Sequence, residues 1–214
     1  MSSIKLKHSG GNSVSLNPPT SAPTSTEVAF KLPNADGSSG QVLKTDGSGN
    51  FSFGGAGITM AQQYRITASS TFTNNSPVYG NFEVNDTAGY STLGSSMSES
   101  SGVWTFPSTG IYLITVNQTF HATSNGQDRR CEVRIQHTVD GGSNWVYAAV
   151  GYINLGVGSS TTFGTASCQS ILDVTDTSQR KVRFDAYSQE SATQLTGNST
   201  NNDNSYTFIR LGDT

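Results

Sequence analysis

Residues 102–120, GVWTFPSTGIYLITVNQTF, constrain this chain more than any other stretch. Val103, Trp104, Thr105 and Phe106 form a short aromatic run, and Pro107, Ser108, Thr109 and Gly110 follow it. Such a group marks a turn, because proline presets φ and glycine accepts a positive φ that a Cβ would oppose. Beyond the turn, Tyr112, Ile114 and Val116 alternate with Leu113, Thr115 and Asn117. A period of two belongs to a strand with two different faces, not to a helix. The reading is strand, turn, strand. Trp104, Phe106, Tyr112, Ile114 and Val116 form an internal scaffold, joined by Phe208 from the last strand.

The same signal recurs through residues 61–214, which are expected to form a head. Segments 64–72, 78–84, 131–139, 144–150, 152–157, 161–172, 182–187 and 206–211 read as strands, with a serine-rich loop at 91–101. Asp140-Gly141-Gly142-Ser143 marks the clearest hairpin. About eight to ten strands with polar turns predict an all-β sandwich, most simply a jelly roll.

Residues 1–60 read as an extended arm. Ile4 and Leu6, then Val14 and Leu16, flank a hairpin-like turn at Ser9-Gly10-Gly11-Asn12. Pro18, Pro19 and Pro23 mark a linker. The segments AFKLP, QVLKT and NFSF are separated by two Asp-Gly-Ser turns, at Asp36 and Asp46, which predict a small three-stranded meander. Gly54-Gly55-Ala56-Gly57 reads as a flexible joint.

Composition limits the function classes. Apolar residues make up 33% and charged residues only 13% of the chain. Disorder usually combines low hydrophobicity with high net charge, and here the charge is low. Thin apolar content favours burying more surface by oligomerising. Net charge is −3 overall, and residues 61–214 carry eight basic and twelve acidic side chains. An acidic head argues against nucleic-acid binding, which needs a cationic surface. Residues 1–7 contain no apolar core of a secretion signal, and no apolar run reaches membrane-spanning length. Assembly in a cytoplasm, without membrane insertion, is the expectation.

Motifs that carry chemistry are sparse. GSSGQVLKT (37–45) lacks the Gly-Lys-Ser/Thr ending of a phosphate loop and is read as a β-turn. His8, His121 and His137 are scattered, and no nucleophile and acid converge on them by any recognisable spacing. Cys131 and Cys168 show no metal spacing, and Cys131 is in phase with Val133 and Ile135, as a buried small hydrophobe would be. Asp173 and Asp176 match no calcium-loop pattern. No catalytic, cofactor or metal site is expected. Trp145, Tyr147, Tyr79 and Tyr90 lie beside polar loops and are candidate receptor-contact aromatics; the plainer reading puts them in the core or in a subunit interface.

Two resemblances add to this reading. Gly102–Pro107 followed by Gly110-Ile111-Tyr112 resembles the signature of C1q/TNF-like jelly-roll heads, and VRFDAYS (182–188) with YTFIRL (206–211) resembles that family's last two strands. This resemblance spans most of residues 61–214 and implies a compact homotrimer, without the collagen stalk of the animal members. The more specific resemblance is residues 30–53, FKLPNADGSSGQVLKTDGSGNFSF, which are similar to a segment recurring in tail-fibre and other virion proteins of bacteriophages. Together they imply a phage virion protein assembled in the host cytoplasm: a trimeric fibre. Residues 1–60 would dock on other virion proteins, and the head would touch a host-surface polysaccharide or protein. The alternatives are a capsid decoration or head-fibre protein and, further off, a polysaccharide-degrading fibre enzyme.

Overall fold

The computed structural model describes residues 4–78, 80–123, 128–156, 158–190 and 192–214. It divides into two compact units, Met1–Ala56 and Gly57–Thr214.

The first unit contains two hairpins. β1 (Ile4–Lys7) pairs antiparallel with β2 (Ser13–Leu16), placing Ile4 opposite Leu16 and Leu6 opposite Val14. β3 (Gln41–Thr45) pairs with β4 (Phe51–Gly55) across the second Asp-Gly turn, where the Asp46 carboxylate accepts the Ser48 and Asn50 amides at 2.8 and 3.1 Å. The expected three-stranded meander is not formed. AFKLP contributes only a single parallel bridge, Lys31 to Asn50, because a chain entering alongside β4 in the same direction cannot be the next antiparallel strand. Of the joint expected over Gly54–Gly57, Gly54 and Gly55 lie inside β4, and the boundary between the two units falls between Ala56 and Gly57.

The second unit is a sandwich of twelve strands among the described residues: β5 (Met60–Ile66), β6 (Ala68–Ser70), β7 (Phe82–Val84), β8 (Ser98–Ser100), β9 (Val103–Thr105), β10 (Gly110–Ala122), β11 (Asp128–Thr138), β12 (Val146–Leu155), β13 (Thr162–Val174), β14 (Lys181–Ser188), β15 (Gln194–Asn198) and β16 (Ser205–Gly212). The first sheet runs β6-β15-β10-β16-β5-β7, with β13 on the free side of β10; the second runs β12-β11-β14-β9-β8. β10 is the spine. Along its whole length it pairs with β13, from Gly110 opposite Val174 to Ala122 opposite Thr162. On its other side it pairs with β16 and, near its end, β15.

Alternation fixes the register. In β10 every even residue is buried and the odd ones between them are only half-buried, so one face turns to the core and the other outward. Trp104 lies fully buried among Tyr64, Phe82, Phe184 and Phe208, with ring centroids 4.6–6.3 Å apart and mostly edge-on. Phe106, Tyr112, Ile114 and Val116 are buried in the same cluster.

β12 is one continuous strand, where the sequence reading split it at Gly151. That glycine marks a close approach instead. A Cβ there would stand 2.3 Å from the Ser167 carbonyl oxygen, so β12 of one sheet comes down onto β13 of the other only because position 151 has no side chain.

Candidate functional site

Three of the five strands of the second sheet, β11, β12 and β14, build the charged part of its outer side. In β11, Cys131, Val133 and Ile135 face the core, which sends Glu132, Arg134 and Gln136 outward. In β14, Val182, Phe184 and Ala186 face the core and Arg183, Asp185 and Tyr187 face outward. Outward-facing here does not mean exposed: Glu132 is 1%, Arg134 7% and Asp185 0% accessible. They are roofed by aromatic side chains. The Arg134 guanidinium lies 5.3 Å from the ring centres of both Tyr147 and Tyr187, and Arg130 lies 5.8 and 5.3 Å from those of Tyr152 and Tyr187. At the hairpin end, Arg183 stacks 4.3 Å from the Trp145 ring centre.

The buried charges are paired in sequence along the face. Arg134 Nε donates to Glu132 Oε2 at 2.6 Å, and Arg130 holds the other Glu132 oxygen. Arg134 Nη1 is 3.7 Å from Asp185 Oδ1. Gln136 Nε2 donates to Asp185 Oδ2 at 2.8 Å, and Arg183 Nε donates to Gln136 Oε1 at 2.6 Å. Asp185 Oδ1 has no hydrogen-bond donor. Burial pushes the Asp185 carboxyl up to about 6, against the pull of Arg134 and Arg183 and with some help from Glu132. The Asp140–Asn144 turn ahead of β12 is locked by its own carboxylate: Asp140 accepts the Asn144 amide at 2.9 Å and the Asn144 side chain at 2.6 Å. Those bonds, with the one from Thr138, hold Asp140 well below the usual carboxylate range. Trp145 Nε1 donates back to the Gly142 carbonyl at 2.9 Å, which fixes the indole.

Two of the candidate aromatics, Trp145 and Tyr147, therefore come together on this face. Tyr90 is exposed in the loop between β7 and β8 and shares no ring or cation contact with them among the described residues. Tyr79 lies outside the described residues. The sequence reading did not single out Tyr152, Tyr187, Arg130, Arg134 or Arg183. The signal that marks them is charge at period two, Arg130-x-Glu132-x-Arg134 and Arg183-x-Asp185-x-Tyr187.

The outer side of the first sheet is different in kind. From Leu113 to His121 the outward residues of β10 are Leu113, Thr115, Asn117, Thr119 and His121. Opposite them β13 places Ile171, Gln169, Ser167, Thr165 and Phe163, and β16 adds Ile209, Thr207 and Ser205. None of these carries a fixed charge. Polar rungs bond across the strands: Ser167 to Asn117 at 2.7 Å, Asn117 to Ser205 at 3.0 Å, Thr119 with Thr165 at 2.8 Å and Gln63 to Thr207 at 2.7 Å. Leu113, Ile171 and Ile209 form an apolar row at one end, and His121 stacks on Phe163 at the other.

The histidines and cysteines stand elsewhere. His121 bonds Thr196 and His137 bonds Arg180, and among the described residues neither hydrogen-bonds a carboxylate that could orient it as a base. Burial holds the Cys168 thiol up at about 11 and raises Cys131 further, so neither is a thiolate near neutral pH. Asp173 is the penultimate residue of β13, opposite Ile111, and Asp176 accepts the amide and hydroxyl of Ser178. Among the described residues, no group of three or more metal-ligating side chains is gathered.

No protein-family model and no curated protein matches the sequence. Solved structures do match in fold. The chain is similar to the Eiger TNF of S. frugiperda, with 8% identity and a TM-score of 0.53, over 74% of this chain and 95% of that one. Murine APRIL aligns at 9% identity with a TM-score of 0.49, over 71% of this chain and 98% of that one. On the likeness to Eiger, the two-sheet sandwich has the fold of a TNF-like jelly roll.

Proposed function

We propose that this chain is a virion structural protein, a homotrimeric fibre whose first unit docks on the particle and whose jelly roll meets the host surface. The observation that carries the reading is the outer side of β10, β13 and β16 level with Leu113 to His121, which holds no fixed charge; the first one, Asp173, stands just beyond it opposite Ile111. A soluble monomer normally clothes such a face in lysine and glutamate, while the buried centre of a protein interface is depleted of charge. Copies of this chain are the occupant that fits, since Leu113, Ile171 and Ile209 offer the same apolar row to each neighbour around an axis. With that face covered, the aromatic and arginine side of β11, β12 and β14 is left outward for contact, and three copies of it add avidity to weak binding. The virion assignment rests on residues 30–53, whose likeness to phage fibre segments covers the second hairpin.

Sedimentation of the full chain tests the trimer. The native protein is expected at trimeric mass at micromolar concentration, and Thr115→Arg at monomeric mass with unchanged far-UV circular dichroism. A monomeric native protein overturns the reading. Antibody labelling of intact particles tests the location, with tail labelling expected. Labelling of the shell alone would favour a capsid decoration protein. That second reading draws on one observation: in sequence, only Ala56 separates the end of β4 from the jelly-roll unit.

A further inference from the structure

We propose that a hollow at the hairpin end of the second sheet binds a carboxylate-bearing sugar of an acidic polysaccharide; this rests on the host-contact part of the reading above and names its ligand. The hollow is shallow, about 480 Å³, and is lined by Ser100, Val103, Thr105, Trp145, Lys181 and Arg183 beside the Gly141-Gly142 turn. Its size lies within the roughly 300–1,000 Å³ of small-ligand sites.

Register puts both cations on its floor. Lys181 pairs with Thr105 and Arg183 with Val103, so the two side chains leave the same face of β14 two residues apart. Arg183 hydrogen-bonds internally through Nε alone, to Gln136, and its guanidinium lies over one face of the Trp145 indole. Among the described residues its terminal nitrogens and the Lys181 ammonium have no hydrogen-bond or ion-pair partner. No carboxylate lines the hollow. Acids on the neighbouring segments are engaged: Asp140 inside its own turn, Asp185 with Gln136 and Arg134, and Glu99 with the Gly102 amide. Two cations whose terminal nitrogens lack an acid in the hollow, in a region of the chain that is acidic overall, select an anion. A guanidinium presents paired N–H groups that match a carboxylate. The half-buried indole of Trp145 supplies the flat apolar surface on which a sugar ring rests, and it is held in place before any ligand arrives. Ser100 and Thr105 add hydroxyls for the ring hydroxyls. A neutral glycan would leave both cations unanswered, and a bare anion would leave the indole unused.

Affinity electrophoresis of the full chain through gels carrying polygalacturonate, dextran sulfate or dextran is the test. Polygalacturonate is expected to retard the native protein and dextran to leave it unmoved. Lys181→Met with Arg183→Met is expected to weaken retardation at least tenfold, and Trp145→Ala to weaken it while keeping the salt dependence. Lys181→Met alone, a milder change, guards against misfolding and is expected to give a partial loss with unchanged circular dichroism. Absent retardation by polygalacturonate, retardation by dextran sulfate only, or an unaltered double variant overturns the proposal. A protein that adheres to host cells yet ignores polygalacturonate overturns this site and leaves the fibre standing. One that binds polygalacturonate but is missing from the particle does the reverse.

Discussion

On the outer side of β10, β13 and β16, the residues from Leu113 to His121 and their neighbours carry no fixed charge and bond to one another through hydroxyls and amides. On the outer side of β11 and β14, three arginines and two acids sit under tyrosines and a tryptophan. Both faces cover the same aromatic core and both follow the same alternation, so secondary structure does not distinguish them. The difference lies in how each polar group is satisfied. The first face closes its hydrogen bonds among small neutral groups and leaves a surface that costs little to desolvate. The second keeps ions that are expensive to bury further and that project side chains of high contact value. A face of the first kind suits permanent contact with copies of itself, and one of the second kind suits contact that must be selective.

The largest effect is expected where both faces depend on a common support. Trp104→Ala removes the ring packed against Tyr64, Phe82, Phe184 and Phe208 and should cost about 3–5 kcal/mol in urea unfolding. It should weaken trimer formation and glycan binding together. If one survived while the other was lost, the two faces would not share their support.

Next is Arg134→Ala, which leaves Glu132 and Asp185 buried with less compensation and should cost about 3 kcal/mol. Arg134 with both acids replaced by apolar residues of similar volume should recover much of that loss, because the ions are not needed for stability as such. Failure of the triple variant to recover would mean that the network organises the face as well as occupying it.

How far the sequence revealed this arrangement depends on what each segment signals. The spine β10 was legible because its even residues are large and apolar without interruption. β8 and β15 were not, since Ser98-Glu99-Ser100 and Gln194–Asn198 are short and mostly polar, with Leu195 as the one apolar side chain between them that reaches the core. β12 was divided because an isolated glycine reads as a break, while Gly151 serves contact between the sheets. The second face was half legible. Trp145 and Tyr147 stand out after an Asp-Gly turn, but arginines in a strand read as solvated, and only the register shows that aromatic neighbours roof them. The neutral face gave a weaker signal still, a low overall charge that could not be assigned to one side before β10, β13 and β16 were paired.

A smaller effect follows from Asp185. Its carboxyl titrates near 6 in the folded chain, above the 3.8 of a free side chain, chiefly through burial. Between those values the folded form holds the extra proton, so this group's contribution to stability falls as pH rises from 4 to 6 and is level above that. Asp185→Asn should remove that decline and be more stable than the native chain at pH 7 by on the order of 1–2 kcal/mol. Asp128 acts in the opposite sense, since bonds from Ser188 and Thr193 outweigh its burial and hold it low. Comparing the Asn variant with the native chain across pH isolates Asp185. An unchanged slope would show that its charge is better solvated than its burial implies.

The smallest effect separates the faces most cleanly. Phe163 and Tyr152 are aromatic, belong to adjacent strands, and are almost equally exposed at 62% and 63%. Phe163 stacks on His121 on the neutral face, and Tyr152 lies by Arg130 on the charged one. Serine at either position should change urea unfolding by about 1 kcal/mol or less when association is held constant, as for exposed sites in general. Their effects on assembly should diverge. If the neutral face joins copies of the chain, Phe163 is covered in the trimer, and Phe163→Ser raises the concentration at which sedimentation shows dissociation. Tyr152→Ser leaves that concentration where it was, because its side of the sandwich stays in solvent. Equal shifts from the two substitutions would remove the distinction between a face for self-association and a face for recognition, whatever the mass of the native protein.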